Sequence, residues 1–243
     1  MATVTNYALY LESGPKQRKT MVHALDLLGC VAVGPTTQDA LAATPDTIRA
    51  YLRFLRRHGE AVADPTESFE THVAQHIMEG DWLGNGSPYL LFDADLEPVT
   101  ADELEIYIQR AQWMTTALAD WAETRSPAEL NETGANGGRT SLAILRHVLG
   151  AQGVYFAAAL GGAPGFSALA SSVERGERDI ADALRQSAEM LAARARAVTP
   201  EQRAAVRFLP KNSRTFRKGL RRTLEHEWEH LAELSRREGG PML

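Results

Sequence analysis

The sequence predicts an α+β protein: a small α/β module followed by a four-helix bundle. Three observations predict it. Residues 1–80 set short strand-forming segments between glycines and prolines. From Thr100 the apolar period becomes helical and stays so. Four such helical stretches are joined by connections of modest length, which favours a bundle. We therefore divide the chain into a module over 1–80, a connector over 81–98 and a bundle over 99–243.

Within the module, Tyr7 to Glu12 and Thr20 to Leu28 read as strands, with Gly14-Pro15 turning the chain between them. Gly29, Gly34 and Pro35 end the second strand. Thr36 or Thr37 offers an N-cap, and Asp39 suits the positive end of a helix. Gln38 to Arg57 keeps a helical period, interrupted by Pro45, so a kinked helix or two short ones are expected before Gly59. Ser68 to Ile77 alternates in places and suggests a third strand. The connector is rich in Gly, Pro and Asp.

In the bundle, Thr100-Ala101-Asp102-Glu103 has the pattern of a capping box, in which a Thr hydroxyl and a Glu carboxylate each take one orphan backbone N–H. Leu104, Ile108, Ala111, Leu118 and Trp121 follow it on one period. A loop over Asn131 to Arg139 leads to a second helix over Thr140 to Leu160. The third is expected from Ser171 or Ser172 to Thr199, and the fourth from Thr215 to Arg237.

Composition bounds the function. Hydrophobic content of 44% and charged content of 23% exclude a mainly disordered chain. A net charge of -5 gives no electrostatic reason to expect nucleic acid or an anionic membrane as partner. The single Cys30 allows no internal disulfide and suits a reducing cytoplasm; we read it as a small buried residue rather than a nucleophile. The N-terminus lacks the features of a signal peptide, and no stretch reads as a membrane span, so a cytoplasmic protein is expected.

The residues that carry chemistry lie on the fourth helix. His226 and His230 stand at i and i+4, one turn apart on one face, where two imidazoles can ligate one ion. Phe216, Leu220, Leu224, Leu231 and Leu234 form the apolar stripe beside them. Glu225 and Glu229 are expected on the solvated side. Glu227 falls within the stripe and needs a partner, such as an Arg, a metal-bound water or an imidazole N–H. His226-Glu227-Trp228-Glu229-His230 also spells the signature of zinc metalloproteases, but these take a third ligand, usually downstream. No His follows His230, and the acids there, Glu233 and Glu238, lie on the same terminal helix or its end. The third ligand is expected from another helix, and His147 at the edge of the second helix's buried arc is the candidate. Three His ligands leave a position open for water or substrate.

Two segments carry a resemblance. Arg146 to Ala151 with Tyr155-Phe156 resembles the second helix of DinB/YfiT-like bundles, and Lys218 to His230 resembles their fourth. The resemblance spans roughly residues 93–237. It implies a metal site of three histidines, here His147, His226 and His230. It also implies a relation to thiol-dependent transferases and isomerases and to hydrolases, with a low-molecular-weight thiol as a candidate cofactor. The ion would be Zn, Ni, Mn or Fe, all of which accept imidazole. Glu227 would orient a ligand or move a proton as the catalytic group. The small-molecule substrate is not legible, and a homodimer is left open. Separately, Tyr7 to Glu12 and Leu28 to Leu41 resemble the HicB-like antitoxin fold, where two strands lead through a G-x-T turn into a helix.

Other features have simpler readings. His72 and His76 would lie ~13 Å apart on a strand, too far for one ion. The basic run Arg217 to Arg222 suits either an anionic cofactor or a solvated helix face. Trp113, Trp121 and Trp228 read as core or interface anchors. Rival readings are a non-catalytic stress-response protein with a structural metal, and an interaction protein whose first module meets a toxin-like partner.

Overall fold

A computed structural model describes residues 4–134, 137–207 and 213–243. Two compact units emerge. The first runs to Glu97 and takes in residues 206–215 and Leu243; the second comprises Pro98–Ala205 and Phe216–Met242.

In the first unit, β1 (Thr5–Ser13), β2 (Arg18–Ala24), β3 (Val31–Thr36) and β4 (Phe69–Ile77) form one sheet in the order β3-β2-β1-β4. β1 pairs antiparallel with β2, placing Leu9 opposite Ala24 and Leu11 opposite Val22, and parallel with β4, placing Thr5 opposite Phe69. A register shift falls between Leu9 and Tyr10. The sequence reading ended the second strand at Leu28 and did not foresee β3. It is separate because the chain turns back at Gly29 (φ 99°), with Cys30 N–H bonded to Leu27 O and Ala24 N–H to Cys30 O.

The end of β3, Gly34-Pro35-Thr36, leads directly into α1 (Thr37–Arg57). Thr36 Oγ1 accepts the Asp39 N–H at 3.1 Å, which satisfies one of the helix's orphan donors. Pro45 lies inside α1 without dividing it. Ala40 and Thr44 before it and Ile48, Tyr51, Leu52 and Leu55 after it are all buried, so one packed face runs past the missing N–H. Leu9, Leu11, Met21 and Val22 are buried in the same unit.

The connector is folded rather than loose. Leu83, Leu90 and Phe92 are buried, with Tyr10, Leu25 and Ile77 packed against them. The buried Glu12 carboxylate accepts the N–H groups of Gly86 at 2.5 Å and Ser87 at 3.0 Å. A segment with its own apolar contacts and a carboxylate clamp does not behave as a linker.

The second unit contains α2 (Ala101–Glu123), α3 (Pro127–Leu130), α4 (Ser141–Leu160), α5 (Phe166–Glu174), α6 (Ile180–Arg196), α7 (Pro200–Ala204) and α8 (Phe216–Ser235). α2, α4, α6 and α8 make the bundle; α2 packs on α6 and α8, and α4 on the same two. The capping box of α2 is present, with Thr100 Oγ1 and the Glu103 carboxylate each taking the other's N–H. The third helix of the sequence reading is two helices. Gly176 (φ 71°) breaks it, and Asp179 starts α6 by accepting the Ala181 N–H at 2.7 Å. A short pair of strands, β5 (Val206–Arg207) and β6 (Arg214–Thr215), was not foreseen. α4 is long and apolar enough by length and composition to cross a membrane, which the sequence reading passed over. Its Ile144, Leu145, Val148, Leu149 and Phe156 are buried in the bundle.

Candidate metal centre

α4 and α8 run antiparallel side by side. Arg237 bonds Ser141 at one end, His226 meets His147 further along, and Gly219 lies against Ala159 beyond that. This brings His147, His226 and His230 together. One ring nitrogen from each lies within 4.8 Å of the others. His226 Nε2 and His147 Nε2 are 3.0 Å apart. His226 and His230 are buried, whereas His147 is exposed, so the cluster is open on the α4 side. The Tyr155 ring meets His226 edge-on at 5.4 Å, and the Arg222 guanidinium lies 5.5 Å from the Tyr155 ring.

Burial pushes His226 down to about 2, and the neighbouring His230, Arg222, His147 and Arg139 add to this. Burial also lowers His147, again with help from His230 and Arg139. Both rings are therefore neutral at ordinary pH, the form that ligates a metal. The donor set fits a divalent ion of borderline softness. Two tetrahedral ligands at ~2.05 Å from one zinc would be about 3.3 Å apart, close to the spacing of His226 and His147.

The acidic residues of α8 depart from the sequence reading. Glu225 was expected in solvent; it is fully buried and bound by Arg221 at 2.9 Å and Arg222 at 2.8 Å. Glu229 is half-buried rather than exposed. The basic run is not a solvated face either. Lys218, Arg221 and Arg222 are buried, and Arg217 holds Glu103 at 2.8 Å and Pro98 O at 2.8 Å.

Glu227 is buried as expected, but its partner is not on the metal side. Gln152 Nε2 donates to Glu227 Oε1 at 2.5 Å and to Thr115 Oγ1 at 3.0 Å, and Ser187 donates to Gln152 Oε1. No hydrogen bond joins Glu227 to the three imidazoles among the described residues. Burial raises its carboxyl to about 8, against the opposing pull of Gln152 and Thr115. A buried acid that keeps its proton needs no counter-cation.

Sequence reasoning missed three contributors. Glu233 accepts from His230 Nδ1 at 2.7 Å and from Arg139 at 3.1 Å. Its i+3 spacing from His230 was the available signal, and it had been weighed only as a ligand. Gln152 and Tyr155 sit on another helix, and no spacing rule links them to α8. His72 and His76 stand in the first unit, bonded to Asn6 and Ser13 respectively at 2.8 Å. Cys30 is buried, as the sequence suggested.

Fold and site together define a four-helix bundle with a histidine cluster built on two neighbouring helices. The chain belongs to the DinB superfamily, whose profile matches residues 110–234 and so takes in all three histidines. Among solved structures, it is similar to YfiT from Bacillus subtilis, described as a probable metal-dependent hydrolase with an unusual four-helix bundle topology. Identity is 19% and the TM-score 0.44, over 58% of this chain and 90% of that one. No curated protein matches the chain.

Proposed function

We propose that this chain is a metalloenzyme whose bundle holds one divalent ion through His147, His226 and His230. The observation that supports it is the convergence of three imidazoles, two buried and one exposed, with one ring nitrogen of each within 4.8 Å of the others. Such a set would hold an ion and leave a coordination position for water or substrate. Bound there, the ion supplies Lewis acidity, which acidifies water or a thiol and polarises a substrate oxygen.

The chain's own residues fix the rest. His226 and His230 hold their positions by burial, and the Tyr155 ring covers His226 on its α4 side. The hydrogen bonds of Glu227 favour a role in locking α8 to α4 and α2 rather than proton transfer. The reaction class we favour is hydrolysis or group transfer, with a low-molecular-weight thiol as candidate co-substrate.

Elemental analysis of the purified chain tests the site. One equivalent of zinc, nickel, manganese or iron is expected, lost in His226→Ala and His230→Ala and strongly reduced in His147→Ala. Unchanged occupancy in His147→Ala would remove that residue from the set. A thiol-binding screen on the metal-loaded protein, with hydrolase substrates in parallel, separates transfer from hydrolysis.

A further inference from the structure

We infer that Glu233 is a positioning residue for this centre: it holds the His230 ring with Nε2 turned to the other two histidines, and Arg139 in turn holds Glu233. The inference rests on the metal reading above and names residues that reading does not use.

The three histidines are not equivalent. His230 Nδ1 lies 2.7 Å from Glu233 Oε2. An ionised carboxylate only accepts, so the His230 proton sits on Nδ1 and the Nε2 lone pair is free. His147 and His226 share a different contact, Nε2 to Nε2 at 3.0 Å. That spacing is close to that of two ligands on one ion and fixes neither ring's tautomer. Neither has a carboxylate partner among the described residues. His230 is thus the one ring of the three whose tautomer a carboxylate fixes among the described residues.

Glu233 is itself braced. Arg139 Nη2 donates to the same Oε2 at 3.1 Å. Arg237, one turn further along the chain, donates to Arg139 O at 2.7 Å and to Ser141 Oγ at 3.0 Å. The end of α8 is therefore fastened to the residues that open α4, the helix that carries His147. A carboxylate behind a ligating imidazole orients the ring and raises its basicity. An ordinary surface ion pair would do neither.

The test uses the full-length chain. In the metal-free protein, nitrogen-edited NMR should show His230 as the Nδ1–H tautomer. Zinc affinity, measured by chelator competition, should fall ~10–100-fold in Glu233→Leu. It should fall less in Glu233→Gln, whose amide oxygen still accepts, and less again in Arg139→Gln. An Nε2–H tautomer at His230 in the unmutated protein overturns the inference. So does wild-type zinc affinity in Glu233→Leu with the helical spectrum retained. His230→Ala is the control. If it binds zinc like the unmutated chain, the metal reading itself fails. If it loses zinc while Glu233→Leu keeps it, only the positioning role fails.

Discussion

Gly219 of α8 lies so close to Ala159 of α4 that a Cβ at position 219 would stand 2.5 Å from the Ala159 Cβ and 3.3 Å from Tyr155 O. The two helices that bear the histidines approach each other through a residue with no side chain. Gly219→Ala should therefore push them apart. Helix propensity favours alanine by ~1 kcal/mol, but overpacking costs ~1–3 kcal/mol, so a lower melting temperature and weaker zinc binding are expected together. A melting temperature above that of the unmutated chain would show that the interface relaxes freely.

The polar chain in the bundle core gives a contrasting pair. Gln152→Leu strips Glu227 of its donor and leaves a buried carboxyl unsatisfied, at a cost of ~1–3 kcal/mol in urea denaturation. Glu227→Gln keeps the shape and avoids burying an acid, so stability should match or exceed that of the unmutated chain. Zinc affinity in Glu227→Gln should equal that in Glu229→Gln. A selective loss in Glu227→Gln would mean that this side chain reaches the centre after all.

Glu103 supplies a pH test. Burial pushes its carboxyl up, but Arg217 and the Thr100 N–H outweigh this and hold it below the ordinary value. A carboxyl lowered on folding contributes stability above its unfolded pKa, and the contribution is lost as pH falls through the lowered folded value. Glu103→Gln should cost ~1 kcal/mol near neutrality, and its difference from the unmutated chain should close in strong acid. A gap that stays constant with pH would assign the effect to packing alone.

The clamp on the connector can be opened selectively. Glu12→Ala removes the acceptor for the Gly86 and Ser87 N–H groups, and both lie where water cannot easily replace it. Limited proteolysis should then cut within residues 80–97, which the unmutated chain should resist. Equal cleavage in both would mean that Leu83, Leu90 and Phe92 anchor the segment without Glu12.

What the sequence revealed follows from how local each signal is. The Thr100–Glu103 box, the Thr36 cap and the His226–His230 pair are all set within four residues, and the structure has each of them. His147 needed a resemblance as well, because its partners are distant in the chain. The burial of Glu225 was missed because the wheel reading put its charged residues in solvent without pairing them along the helix. Here Arg221 and Arg222 of the same helix turn inward with it. The split of α5 from α6 hid in Gly176, a single residue within the charged run Glu174-Arg175-Gly176-Glu177-Arg178-Asp179.

The parallel pairing of β1 with β4 bears on the order in which the first unit assembles. β1 meets β2 across a short turn, so those strands can zip together as soon as both leave the ribosome. Thr5 must wait for Phe69, which follows β2, β3 and the whole of α1 in synthesis. Closing so long a loop is entropically expensive until α1 has docked and shortened it. β4 therefore joins last. Until it does, the outer side of β1 presents a row of unpaired backbone groups to any other nascent strand; its pairing covers that side and makes β4 the edge of the sheet.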